Sequence, residues 1–328
     1  MPHGWIVLDK PVGLGSTQAV AAVKRNLREA GYGKKVKVGH GGTLDPLAEG
    51  VLPIAIGEAT KLCGRMLDAS KVYAFTIQFG SETDTLDAEG EVVARSEHFP
   101  SFPAIAAVLA HFTGPIEQVP PAYSALKVDG QRAYDLARAG EDVTLKSRAV
   151  TIHAFDFAVP HGGAGEVESA FAETAGRPDP FDPAAPLELV DAVTLVAHVS
   201  KGTYIRSLAR DIAHALGTVG HVTMLRRIKA GPFTEKRAIS LDKLNEIGRG
   251  AALEDVILPL EAGLDDIPAL SLDPDTVRAV RQGRVVSGLP QDDGLYWARS
   301  GAVPVALMEL SGGEARVVRG FNLSDVAE

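Results

Sequence analysis

Cysteine is almost absent from this 328-residue chain. The single Cys63 excludes an internal disulfide and any cysteine-rich zinc or iron–sulfur centre. No run of about 18 apolar residues occurs, so no transmembrane helix is expected. Met1 to Pro11 lack a long apolar stretch and a small-residue cleavage site, so no secretory signal is expected and the protein reads as cytoplasmic. There is no P-loop, and Gly13-Leu14-Gly15 lacks the third glycine of a dinucleotide fingerprint. The nine histidines form no zinc-type cluster, so no metal is expected. No internal repeat is present. Apolar residues at 45% and charged residues at 23% exclude a mostly disordered, collagen-like or coiled-coil chain. The length exceeds what one compact core usually fills, so two domains are expected.

The net charge of −9 argues against a nucleic-acid partner only if it is evenly spread, and it is not. Met1 to Ser70 holds 9 Lys and Arg against 6 Asp and Glu, and His198 to Arg237 holds 8 against 2. Glu246 to Glu328 holds 7 against 14. Basic regions inside an acidic chain can still form a phosphate-binding face, although ordinary surface scatter gives the same counts.

Trp5-Ile6-Val7-Leu8 is a short apolar run ended by Asp9-Lys10-Pro11 and Gly13, which predicts a strand entering a turn. Ser16 or Thr17 is expected to cap the helix that follows, with Val20, Val23 and Leu27 on its apolar face. Gly31 to Gly42 reads as a loop or strand edge. Val72 to Phe79 alternates as a strand does, and Ile105 to Phe112 reads as a helix. His161 to Pro186 carries five acids, one Arg and four prolines, with few large apolar residues, so a mobile surface insertion is expected there. Leu187 to Val199 returns to strand-type residues. Ile205, Leu208, Ala209, Ile212, Ala213 and Leu216 form a helical stripe with Gly217 at its C-terminal end. A linker over Ala262 to Pro268 precedes a small β-rich tail with one short helix, Pro274 to Arg281.

Three segments hold candidate chemistry. Gly39 to Gly50 surrounds His40 with glycines and follows Asp45 with a proline, which pins a carboxylate on an extended loop. An isolated Asp-Pro is ordinarily only a turn. Ser200 to Leu208 places Tyr204 and Arg206 at a strand-to-helix junction, where a helix dipole disfavours a cation. Arg206 is therefore expected to have an anionic partner, held bidentately. Lys71 to Gly90 puts Tyr73, Phe75, Ile77 and Phe79 on one strand face, so Tyr73 also reads as a plain core tyrosine. The acids Asp84, Asp87 and Glu89 lack the alternate spacing of a calcium loop.

Five motifs then occur in order: Val7-Leu8-Asp9-Lys10-Pro11 with Gly13, His40 to Pro46, Thr83 to Asp87, Pro120 to Lys127, and Lys201 to Arg206. Together they resemble the TruB-type tRNA pseudouridine synthases, which act on uridine 55 of the T loop. The resemblance runs from about residue 4 to residue 260. Gly41-Gly42-Thr43 departs from the Thr-Gly-Ala or Thr-Gly-Thr more usual in that family, with the spacing from His40 to Asp45 intact.

The resemblance implies an α+β fold: a mixed, largely antiparallel sheet in a catalytic domain over 1–264, then a small β-rich PUA-like RNA-binding domain over 265–328. It implies an RNA-gripping insertion over 119–150, and no function for the acidic insertion 161–186. It implies an isomerase without cofactor or metal that breaks the uridine N1–C1′ bond and rejoins the base through C5. Asp45 matches the catalytic aspartate, and Arg206 the arginine paired with it. Tyr73 matches the tyrosine that stacks on the target base. His40, Tyr204 and Leu225 match residues lining the substrate pocket. Addition of the aspartate to C1′ and removal of a ribose proton both remain open. The expected partner is the tRNA T stem-loop, met by a monomer with no obligate protein partner.

The chemistry of these residue types agrees. Glycosidic cleavage develops positive character on the sugar, so a carboxylate beside it is apt, and an arginine favours its charged form. Extracting a base from its stack costs a few kcal/mol, of which an aromatic face returns ~1–3 kcal/mol. Lys127 and Arg132, with Arg226, Arg227 and Lys229 of the basic stretch, are the candidates for the RNA backbone. Two other readings stand beside this one: an RNA-binding protein without the chemistry, and a nucleoside hydrolase releasing free uracil.

Overall fold

The computed structural model describes residues 2–128, 130–141, 143–158, 188–250 and 253–323. The acidic insertion expected over 161–186 lies outside the described residues. The chain opens with β1 (Gly4–Lys10), α1 (Ser16–Glu29), β2 (Val38–His40), β3 (Glu49–Ile56) and α2 (Cys63–Asp68). Next come β4 (Lys71–Phe79), β5 (Ser81–Thr83), β6 (Val92–Arg95), α3 (Phe102–Phe112) and β7 (Gly114–Gln118). The segment β8 (Lys127–Val128), β9 (Gln131–Arg132) and α4 (Ala133–Arg138) precedes β10 (Arg148–Phe157). There follow β11 (Ala192–Val199), α5 (Ile205–Ala215), β12 (Gly220–Ala230), β13 (Phe233–Thr234), β14 (Ile239–Ser240), α6 (Leu241–Gly250) and β15 (Leu258–Pro259). The tail holds β16 (Ala269–Ser271), α7 (Pro274–Arg281), β17 (Val286–Ser287), β18 (Gly294–Ser300), β19 (Val303–Ser311) and β20 (Glu314–Gly320).

An 11-stranded sheet dominates, with the path β14-β1-β3-β12-β4-β11-β10-β7. Among the described residues only β1/β14 and β3/β12 of this sheet pair in parallel, so it is mixed and largely antiparallel, in an α+β fold. One face receives α1, α3, α5 and α6 through Val23, Leu27, Ile105, Leu109, Leu208, Ile212 and Leu244. Burying each such side chain contributes ~1.5–3 kcal/mol. Strand β1 is covered on both faces. Ile6 and Leu8 enter the helix-side core, while Trp5 and Val7 meet Val51, Met66 and Phe233 on the other side. This explains why Trp5 to Leu8 is a continuous apolar run and not an alternating one.

The tail forms its own sheet, in the order β16-β18-β19-β20-β17, around Val277, Val280, Ala306, Met308 and Leu310. It is seated on the large sheet by Leu307 and Phe321, which join the cluster of Trp5 and Phe233. Polar contacts at the seam include Lys61 Nζ donating to Gly320 O at 2.8 Å and Asn322 N donating to Glu58 Oε2 at 2.6 Å.

One local expectation changes. The N-cap of α1 is Gly15, whose N–H is met at 2.8 Å by the side chain of Gln18. Ser16 is buried elsewhere: its Oγ donates to Leu44 O at 2.9 Å and accepts from Leu44 N at 2.8 Å. A hydroxyl that can serve a cap serves a distant loop instead, because that loop's buried main-chain groups have no ladder partner.

Candidate active site

Asp45 lies on the loop between β2 and β3, and this loop is tied down from several directions. Gly41 N donates to Pro53 O at 2.8 Å and Gly13 N donates to Pro46 O at 2.8 Å, while Ser16 clasps Leu44. Three buried cations complete the binding of the loop and its surroundings to the fold. Arg227 donates to Val51 O at 2.7 Å, Gly42 O at 3.1 Å and Thr43 O at 3.3 Å. Lys10 Nζ donates to Leu14 O, Pro11 O and Pro46 O, and Lys71 Nζ to Ala69 O, Leu67 O and Met66 O. Burial brings both lysines down to about 8; Asp45 and Glu49 oppose the shift at Lys10, while Arg227 reinforces it at Lys71. Gly50 has φ +96°, and a Cβ there would lie 2.4 Å from Arg227 O, so only glycine fits this crossing.

Arg206 sits in the first turn of α5, almost fully buried. Its Nη2 lies 2.8 Å from Asp45 Oδ2, and its Nη1 lies 3.2 Å from Asp87 Oδ2. The same two nitrogens also donate to carbonyls, Nη1 to Thr85 O and Nη2 to Tyr123 O, both at 2.9 Å, while the buried Nε has no partner among the described residues. Two carboxylates and two carbonyls thus offset the unfavourable place of a cation at a helix start. Asp45 keeps 40% of its side chain exposed whereas Asp87 keeps 4%, so only Asp45 faces an incoming molecule.

That exposed face opens on a cavity of about 280 Å³, lined among others by Asp45, Tyr73, Tyr204, Arg206 and Leu225, with Lys71 and Leu67 at one side. It is a concave site on the scale of one small ligand group. A second cavity, about 450 Å³, lies in the tail between α7 and β19/β20; its lining includes Arg281 but no carboxylate. Of the two, the first alone has a carboxylate in its lining. Tyr73 extends from β4 into it while still packing partly on the main core, so the two readings of this residue merge. Burial raises the Tyr204 phenol, against the nearby Arg148.

Two expectations need correction. His40 is not part of the cavity lining: it sits on β2 behind the loop, and its Nδ1 accepts from Gly42 N at 3.4 Å. Burial, and then the Arg227 guanidinium, push its imidazole below the usual histidine range. Arg226 and Arg227 are not free for phosphate. Arg227 is fully buried under the Asp45 loop, and Arg226 is held by Glu235 at 2.5 Å, Asp9 at 3.2 Å and Glu49 at 3.4 Å. Buried cations demand partners, and here the fold supplies them internally. Lys127, Arg132 and Lys229 are exposed, the first two as cross-strand partners in the β8/β9 hairpin.

Sequence reasoning gave no role to Asp87, Lys71 or Gln118, whose amide clamps the main chain of Tyr204. For Asp87 a signal existed in the motif Thr83 to Asp87, since its acids fit no calcium loop and needed another explanation.

The site is thus a cleft in a mixed central sheet, in which an aspartate on a pinned loop meets an arginine at a helix start. The sequence matches the family described as TruB family pseudouridylate synthase (N terminal domain) over residues 28–170. It matches the tRNA pseudouridylate synthase B C-terminal domain over residues 206–265. Similar proteins include tRNA pseudouridine synthase B of Novosphingobium aromaticivorans, 67% identical over 100% of both chains. That of Zymomonas mobilis is 54% identical, covering 98% of this chain and 96% of its relative. Among solved structures, a chain of a Cbf5-Nop10-Gar1 complex superposes with a TM-score of 0.65 at 26% identity, covering 97% of this chain and 85% of that one. The chain belongs to the TruB family of pseudouridylate synthases.

Proposed function

We propose that this chain converts uridine 55 in the T loop of tRNA to pseudouridine, with Asp45 as the catalytic carboxylate. The observation that carries the reading is the pairing of a half-exposed Asp45 with a buried Arg206 at 2.8 Å, at the mouth of a cavity walled by Tyr73, Tyr204 and Leu225. The target base leaves its stack and enters this cavity, where Tyr73 supplies the replacement aromatic surface. Asp45 meets the ribose as the N1–C1′ bond breaks, and the Arg206 guanidinium 2.8 Å away holds its carboxylate in place. The freed base rotates, C5 bonds to C1′, the C5 proton leaves to solvent and N1 takes up a proton, so the product is an isomer of the substrate. No redox step or external group is needed to balance the reaction.

Binding falls to groups outside the cavity. On this reading Lys127 and Arg132 of the β8/β9 hairpin and Lys229 on β12 meet phosphates, which their exposure supports. The tail over 265–328 acts as a PUA-like RNA-binding domain beside a catalytic domain over 1–264. The enzyme works as a cytoplasmic monomer; among the described residues no helix is long and apolar enough to cross a membrane.

The test is release of tritium from C5-labelled uridine in a T-loop RNA. The intact protein releases it, and Asp45→Asn does not, while the RNA affinity of the variant stays within about tenfold, ~1.4 kcal/mol. Near-normal turnover by Asp45→Asn would remove Asp45 from the reaction. Free uracil in the product would point to a hydrolase instead.

A further inference from the structure

Tyr204 is held in an unusual way. Gln118 ends β7 and Arg148 begins β10, and these two residues are cross-strand partners that close the root of the 119–150 segment. The Gln118 side chain is fully buried. Its Oε1 accepts from Tyr204 N at 2.8 Å, and its Nε2 donates to Tyr204 O at 3.1 Å. One primary amide thus meets both main-chain groups of one residue, as a ladder partner would, beside the bond that Tyr204 O accepts from Leu208 N at 3.0 Å. The Arg148 guanidinium lies 5.4 Å from the centroid of the Tyr204 ring. Gly202 leaves it room, since a Cβ there would stand 3.3 Å from Arg148 Nη1.

Neither Gln118 nor Arg148 lines the cavity, yet Tyr204 does. Tyr204 is also the N-cap of α5, so its main chain sets where Arg206 begins, and Arg206 is itself tied to Tyr123 O inside the same segment. We propose that Gln118 and Arg148 are positioning residues that act through Tyr204, Gln118 on its main chain and Arg148 on its ring. The root of the segment carrying Lys127 and Arg132 thereby sets the wall of the pocket and the start of the helix behind it. The proposal rests on the uridine-isomerising reading given above.

The experiment uses the full chain, tRNA transcript with C5-tritiated uridine, and single-turnover rates at saturating RNA, with Kd and the thermal midpoint measured alongside. Arg148→Met is expected to slow the step roughly three- to tenfold with Kd nearly unchanged, and Arg148→Lys to recover part of the loss. Gln118→Glu still accepts from Tyr204 N but cannot donate to Tyr204 O, and is expected to slow the step by about tenfold or more. The decisive comparison is the Tyr204→Leu background. There Arg148→Met should be silent, because its ring partner is gone, while Gln118→Glu should still slow the step. An Arg148→Met effect of equal size in both backgrounds, an effect confined to Kd, or wild-type rates throughout would overturn the proposal. If Gln118→Glu does not fold, the Arg148 comparison decides. If the unaltered protein releases no tritium, the functional reading fails first, and this inference falls with it.

Discussion

Asp87→Asn changes one buried atom type and should disable the site without touching the substrate. The carboxylate is almost entirely buried, and three sets of donors converge on it. Its Oδ1 accepts from Thr85 Oγ1 at 2.5 Å and from Glu89 N at 3.0 Å, and its Oδ2 faces Arg206 Nη1 at 3.2 Å. An asparagine cannot serve all three. If its oxygen meets Thr85 and Glu89, its amide points at the guanidinium, donor against donor. If it is turned over, Glu89 N–H faces an amide. Losing a hydrogen bond to a charged group costs ~1.5–3 kcal/mol, and a buried unsatisfied donor costs a similar amount. Arg206 keeps Thr85 O, Tyr123 O and Asp45, so it stays in the site but is no longer held from behind. At about 1.4 kcal/mol per factor of ten, the single-turnover rate should fall roughly ten- to hundredfold. RNA affinity should hardly move, because Asp87 is out of reach of an incoming ligand, and the thermal midpoint should drop by a few degrees. Tritium release at saturating RNA measures the first quantity, filter binding the second and calorimetry the third. A variant that turns over within twofold of the unaltered protein would refute the idea that Asp87 holds Arg206 for Asp45.

Lys71 should leave a signature in stability against pH. Its folded value is about 8 and its unfolded value about 10.5, so between those limits the unfolded chain binds more protons, and stability rises as pH rises through that window. The slope of Tm against pH from 8 to 10.5 should therefore be less positive in Lys71→Met than in the unaltered protein; identical slopes would mean that Lys71 is not desolvated as its burial indicates. Deleting the tail from Asp265 onward removes Leu307 and Phe321 from the Trp5 cluster, so the remaining protein should be less stable and bind tRNA more weakly, with each lost phosphate contact flattening the salt dependence by about 0.7–0.9 in log–log slope. Its single-turnover rate at saturating RNA should stay measurable, since every cavity-lining residue around Asp45 precedes the tail. A folded truncation with full affinity but a collapsed rate would contradict that division of labour.

Local order was legible in the sequence wherever local physics decides it. The stripe from Ile205 to Leu216 with Gly217 after it could bury only as a helix, and the alternation of Val72 to Phe79 suited only a strand. The loop of Asp45 was legible too, because glycines and an Asp-Pro leave few backbone choices. The conflict of a cation with a helix start foretold an anionic partner for Arg206, and the structure supplies two. What only the tertiary structure decided were contacts across long stretches of chain. Asp87 meets Arg206, Gln118 meets Tyr204, and Arg227 meets Gly42, each pair brought together by the order of strands in the sheet and not by any local pattern. Arg226 and Arg227 make the point most plainly. Adjacent strand residues point to opposite faces, and the bulge in β12 between Arg227 and Lys229 resets that alternation. Which face is sealed by the Asp45 loop and which meets Asp9, Glu49 and Glu235 depends on β12 pairing with both β3 and β4, and pairing of that kind is a property of the assembled sheet.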